Sequence, residues 1–82
     1  MWPDRVGRRI KLRQLEALFA VAECGTMGKA AERLALSQPV ISKAIADLER
    51  TLGARLLDRG PLGAQPTLYG RALLKHSIAI FR

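Results

Sequence analysis

Between Ser37 and Arg50 the sequence SQPVISKAIADLER sets hydrogen-bonding and cationic side chains at helical spacing. At about 100° per residue, Pro39, Ser42, Lys43, Ala46 and Arg50 share one side of a helix, small or basic and with no carboxylate among them. Such a side suits a groove lined by phosphates, because cations attract them and small residues let the helix sink inward. The other side carries Ile41, Ile45, Leu48 and Leu52 in a sector roughly 60° wide, a single buried stripe. Ser37 is a natural N-cap, its hydroxyl open to the unpaired amides of the first turn. Pro39 in that turn forfeits no hydrogen bond, since those donors lack helical acceptors. An ordinary amphipathic surface helix fits the same segment, so the neighbouring residues must decide between the two.

Other chemistry is sparse. Cys24 is the single cysteine, which excludes an intrachain disulfide and fits a reducing, cytoplasmic setting; near a helix end among apolar neighbours it reads as a structural thiol. His76 has no second His and no Cys at ligand spacing, so a metal site is not expected. There is no Gly-rich phosphate loop, no pair of catalytic carboxylates and no Ser/His/Asp set; Gly60-Pro61-Leu62-Gly63 is a turn signal. Neither a cofactor nor enzymatic activity is therefore expected. Lys and Arg number 14 against 7 Asp and Glu, a formal net charge of +7 on 82 residues, which calls for a polyanionic partner. No apolar run approaches the ~20 residues of a membrane span, and no secretory-type segment opens the chain. Nucleic acid and an anionic membrane surface both answer to that charge.

What must position the Ser37–Leu52 helix is the segment before it. Thr26–Leu34 (TMGKAAERL) reads as a short helix capped by Thr26, with Ala30, Ala31 and Leu34 facing inward. Only Ala35 and Leu36 separate it from Ser37, so the two helices cross steeply, and the paired alanines permit close approach. This is a helix-turn-helix with Ser37–Leu52 as recognition helix. The stretch AAERLALSQPVISKAIADLERTLGARLLDR resembles the N-terminal DNA-binding domain of LysR-type transcriptional regulators, on Ala30, Ala31, Ser37, Gln38, Pro39, Leu48, Glu49, Leu52, Gly53 and Arg59.

The resemblance implies a mainly α, winged helix-turn-helix fold with a three-helix core, a short two-stranded wing and a C-terminal linker helix. The expected divisions are a basic N-terminal extension over 1–11, the DNA-binding domain over 12–66, and the start of the linker helix over 67–82. It also implies sequence-specific binding of double-stranded DNA by a homodimer on an interrupted palindrome, with a small-molecule effector acting only through a further domain beyond the linker helix. By position, Gln38, Pro39, Ser42 and Lys43 would face bases, where Gln can pair with adenine and Lys can donate to guanine. Thr26, Arg33, Ser37 and Arg13 would hold phosphates, and Arg59 would serve the wing. Arg or Gln common further along the family's helix is replaced by Ala44 and Ala46, leaving more to methyl contacts and DNA shape. Solvated charge is the alternative for Arg13 and Arg33, and capping alone the alternative for Ser37.

The remaining segments complete this frame. Met1–Lys11 lacks periodicity and reaches ahead of the usual family start, either as a tail or as an arm touching phosphate through Arg8, Arg9 or Lys11. Leu12–Cys24 reads as the first helix, with Leu12, Leu15, Leu18, Phe19 and Ala22 inward and Gly25 ending it. Arg55–Arg59 and Ala64–Thr67 read as the wing, anchored by two leucines; Pro66 should shorten the second strand to hardly more than a bridge. From Leu68 the last helix shows two apolar stripes, one of Leu74, Ile78 and Phe81 and one of Tyr69, Leu73 and Ile80. The second stripe is expected to cross a dimer interface built from Tyr69, Leu73, Leu74, Ile80 and Phe81, with Leu74 and Ile78 toward the core. The pattern is unfinished at Arg82 and is expected to continue in a longer protein.

Overall fold

The computed structural model describes residues 10–61 and 63–81, with side chains followed as far as His76. The contacts expected of Arg8 and Arg9, and the roles expected of the Ile78, Ile80 and Phe81 side chains, lie outside the described residues. In chain order the elements are α1 (Leu12–Cys24), α2 (Met27–Leu34), α3 (Gln38–Leu52), β1 (Leu57–Gly60), β2 (Gly63–Pro66) and α4 (Leu68–Phe81). The helices α1, α2 and α3 enclose the core, the β1–β2 hairpin is the wing, and α4 returns against α1.

The helix boundaries follow from their caps. Thr26 Oγ1 accepts from Lys29 N at 3.1 Å to open α2, and Ser37 Oγ accepts from Val40 N at 3.4 Å to open α3. Gly25 and Gly53 end α1 and α3 in the left-handed conformation. At the start of α1 a buried Gln14 takes the capping role, its Oε1 accepting from Lys11 N at 3.0 Å. Leu18, Val21, Ile41, Ile45, Leu48, Leu56 and Leu57 are fully buried, and Ala17, Ala30 and Ala31 fill the close helix contacts. Each large side chain contributes about 1.5–3 kcal/mol on burial. The inner face of α1 departs from expectation. Leu12 is 61% exposed, while Gln14, Ala17, Leu18 and Val21 point inward. The polar Gln14 belongs inside because it completes the helix start, which rotates Leu12 to the surface.

The wing is longer than Pro66 seemed to allow. Four residues pair with four, in the antiparallel register Leu57–Pro66, Asp58–Gln65, Arg59–Ala64 and Gly60–Gly63. Pro66 costs the ladder nothing because its partner is supplied from elsewhere. Leu57 N donates to Glu49 Oε2 at 3.3 Å, and Leu57 O accepts from Arg55 Nη2 at 3.5 Å. The proline therefore closes the strand at its open end rather than cutting it short.

The seat of α4 also corrects an expectation. Thr67 N donates to Leu56 O at 3.0 Å, and Thr67 Oγ1 donates to Arg55 O at 2.6 Å while accepting from Gly70 N at 3.1 Å. Gly70 packs so tightly on the Leu56 backbone that a Cβ there would land on the Leu56 carbonyl oxygen. Residues 73 and 74 flank Gly70 one turn on. Leu73, expected to face outward, is accordingly buried in the core, and Leu74 packs half-buried against the same core. Among the described side chains of this helix, Leu68 and Tyr69 are the large apolar ones that stand exposed, at 79% and 67%.

The turn between α2 and α3 holds the only non-glycine residue at positive φ among the described residues, Ala35 at φ 56°, ψ 43°. Its N–H meets Glu32 O at 3.2 Å, and Leu36 N meets Ala31 O at 2.9 Å. A left-handed L-residue costs about 1–2 kcal/mol, and exposed Ala35 buries no side chain in return. Ala35→Gly is expected to raise stability by about 1 kcal/mol in urea unfolding, the steric relief exceeding glycine's extra unfolded-state freedom. An unchanged or lowered midpoint would show that the turn carries no such strain.

Candidate nucleic-acid interface

The first turn of α3 stands clear of the core. Ser37, Gln38, Pro39 and Val40 are all exposed. Gln38 Oε1 lies beside Gly28 in the first turn of α2, 3.7 Å from where a Cβ would stand. The N-terminal ends of α2 and α3 thus meet at one surface, where their unpaired amides and partial positive charge favour an anion. Thr26 and Ser37 each use a hydroxyl lone pair for capping, which leaves the O–H free to donate outward. Capping and phosphate contact are therefore compatible roles for both residues.

Along α3, Ser42 faces the wing and receives a long contact from Arg59 Nη2 at 3.5 Å. Arg59 thus bends back over the recognition helix. Lys43 and Arg50 are largely exposed but not unpartnered: Lys43 Nζ lies 2.8 Å from Asp47 Oδ2 and Arg50 Nη1 lies 2.8 Å from Asp47 Oδ1. The Lys43 hydrogen bond first, and then that of Arg50, hold the Asp47 carboxyl below the usual carboxylate range. The carboxylate-free face expected from the sequence consequently has an acid at its edge. Arg33 is paired as well, its Nη1 lying 2.6 Å from Glu23 Oε1. Arg13 is exposed near the start of α1.

Two residues outside the expected set matter here. Val40 is 41% exposed on the leading turn of α3, an apolar contact surface of the kind a thymine methyl fits. Its signal was its absence from the Ile41–Leu52 stripe. Glu49 is the other: its Oε2 accepts from Leu56 N at 2.8 Å and Leu57 N at 3.3 Å, hooking the entry of the wing to the recognition helix. On the opposite strand Ala64 N donates to Gly25 O at 2.9 Å, and Gly63, at φ 106°, packs where any Cβ would strike that same oxygen. The wing is therefore tied at its entry to α3 and on its second strand to the α1–α2 junction. Among the described residues no group of three or more His, Cys, Asp or Glu side chains comes together as a metal site, and no helix is long and apolar enough to cross a membrane.

A tri-helical core, a steep α2–α3 turn and a hairpin fastened to the second helix define a winged helix-turn-helix DNA-binding domain. Residues 12–71 match the family of bacterial regulatory helix-turn-helix proteins of the LysR type, and the chain belongs to that family. It is similar to the uncharacterized HTH-type transcriptional regulator YdcI of Escherichia coli (strain K12), with 51% identity over 73 residues covering 89% of this chain and 24% of the relative. The chain thus spans about a quarter of the length of that relative. The structure resembles the DNA-bound CbnR DNA-binding domain at 42% identity and a TM-score of 0.81, covering 87% of this chain and 82% of that one. It also resembles the BenM DNA-binding domain in complex with benA site 1 DNA, at 35% identity and a TM-score of 0.81, covering 87% of this chain and 83% of that one.

Glu49→Ala is expected to destabilise the domain by about 2–3 kcal/mol, since it strips a charged acceptor from two part-buried amides. Glu49→Gln, which keeps an acceptor oxygen, should recover most of that loss. Urea titration of both variants checks this; equal losses would mean that the charge and not the hydrogen bonding matters.

Proposed function

We propose that this chain reads promoter or operator DNA for a transcription regulator, as a binding module rather than an enzyme, working in the cytoplasm as a homodimer on an interrupted palindrome. The observation that carries the reading is the leading turn of α3, which projects Gln38, Pro39 and Val40 from the core while the wing is fastened behind it. The likeness to domains of CbnR and BenM solved with DNA supports DNA as the partner, and a helix-turn-helix enters the major groove with its second helix, here α3. Gln38 and Lys43 then read base edges, and Pro39 and Ser42 lie along the groove floor. Thr26, Ser37, Arg13 and Arg33 hold phosphates, with Arg33 exchanging Glu23 for the DNA backbone. Arg59 reaches the backbone or minor groove from the wing. A small-molecule effector acts through a domain outside this chain.

The three cationic phosphate contacts per subunit, from Arg13, Arg33 and Arg59, give an expected slope of about −3 in log K against log[salt], measured by mobility shift on duplex DNA. Gln38→Ala should lose about 1–3 kcal/mol on a selected site and much less on random DNA. Arg13→Ala should weaken both alike, since a phosphate contact carries no sequence information. A flat salt response would defeat the electrostatic reading, and equal losses for Gln38→Ala on every duplex would remove it as a base reader.

Dimerisation is assigned to the exposed side of α4, where Leu68 stands exposed and Tyr69 borders an open, mainly apolar groove of about 430 Å³ lined also by Leu52, Ala54, Leu56, Ala72, Leu73 and His76. Ile80 and Phe81 would extend that side, and Leu74 would close it from the core. Tyr69→Asp is expected to shift sedimentation toward monomer with little change in the unfolding midpoint. It should also weaken binding to a palindrome far more than to a half-site. A chain that stays monomeric on a full palindrome would remove α4 as the interface.

A further inference from the structure

We propose that Asp47 is a specificity-determining residue, holding Lys43 and Arg50 away from phosphates so that DNA without the right base is bound weakly. The inference rests on the reading of α3 as the DNA-facing helix. One carboxylate bridges both cations at 2.8 Å, through Oδ2 to Lys43 and Oδ1 to Arg50. The acid is packed down while its partners stand out: the Asp47 side chain is 28% exposed, those of Lys43 and Arg50 77% and 74%. Asp47 and Arg50 also border a shallow hollow with Lys11, Gln14 and Thr51, so the bridge sits at the margin of the exposed face.

The discrimination comes from donor counting. A Lys ammonium has three N–H donors and an Arg guanidinium five. On a matching site Lys43 reaches a base acceptor with one donor and keeps Asp47 with another. On random DNA no acceptor is offered at that place, and the nearest anions are phosphates outside the groove floor. To reach them both side chains must swing away and give up Asp47, whose negative charge is then left facing the DNA. The cost falls on the wrong sequence. Pairing along one helix also spans only i, i+3 and i, i+4, so it holds each cation along the axis of α3.

The test compares wild type with Asp47→Asn on a random-sequence duplex and on a duplex enriched from a random library by selection on this same chain. Freeing one cation to neutralise a phosphate should make the random-duplex salt slope steeper by about 0.9, which is about an eightfold gain in affinity at 0.1 M salt that vanishes near 1 M. The selected duplex should gain less than about twofold, so the specificity ratio falls at least fourfold. In a Lys43→Met, Arg50→Met background the substitution frees no cation, so the random-duplex salt slope should stay within about 0.3 of its parent's, which separates the bridge from a general change of charge. Random-duplex affinity within twofold of wild type, an equal gain on both duplexes, or a slope that steepens as much in the doubly substituted background overturns the proposal. A loss on the selected duplex alone overturns it too, making Asp47 a direct reader of cytosine. If wild type binds neither duplex, or selection enriches nothing, the DNA-reading assignment itself fails, and the two failures are told apart.

Discussion

The architecture depends on how the peptide groups of Leu56 are spent. The Leu56 N–H is taken by the carboxylate of Glu49, and its carbonyl accepts from Thr67 N. Gly70 presses against that same carbonyl, and the side chain of Leu56 is buried in the core. One residue between α3 and β1 thus joins the recognition helix, the entry of the wing and the first turn of α4. An unpaired buried peptide group costs more than a typical hydrogen bond returns, so each of these partners is required by the others. A second tie, from Ala64 N to Gly25 O, closes the hairpin onto the α1–α2 junction. Between them they leave the wing little freedom relative to α3.

Legibility in the sequence followed the range of the interaction. Caps, glycine stops and the Ile41–Leu52 stripe act within a few residues, and they placed the helices correctly. The hairpin was anticipated from its turn, but its length was not, because the groups that relieve Leu57 of pairing with Pro66 come from Glu49 and Arg55. The face of α4 was open for a similar reason. Two apolar stripes in Leu68–Phe81 are equivalent until one knows that Gly70 meets the Leu56 backbone, after which Leu73 must turn inward. Leu12 and Gln14 exchanged places because a polar side chain can be buried when it caps a helix. For the candidate site, residue types and positions were readable, whereas the ion pairs of Arg33 and of Lys43 and Arg50 were not. A pair such as Arg33–Glu23, ten residues apart on different helices, leaves no periodic trace.

These pairs qualify what a net charge means. The excess of seven positive charges draws the chain toward any polyanion, and that attraction carries no sequence information. Exposed pairs contribute little to folding, typically under about 1 kcal/mol. Their consequence is felt in binding, where a cation already partnered must exchange one anion for another. Side chains that look alike by composition therefore differ in what they offer: Arg13 presents its charge from the end of a helix, while Lys43 and Arg50 share one carboxylate.

The backbone ties and the side-chain pairs divide the work of recognition. Hooking the wing to α3 through Glu49 gives the domain a fixed width, and a rigid body of fixed width must match both groove and backbone at once. Rigidity of this kind selects the duplex form but not its letters. On the proposed reading, letters fall to the few groups on the leading turns of α3, namely Gln38, Val40, Ser42 and Lys43, since Ala44 and Ala46 offer only methyl groups. With so few polar readers, restraint on phosphate attraction matters as much as base contact, because the ratio between right and wrong sites is set by both. An acid on the recognition helix of a strongly basic domain fits that balance, since one Asp47 carboxylate already partners both Lys43 and Arg50 before any phosphate is met.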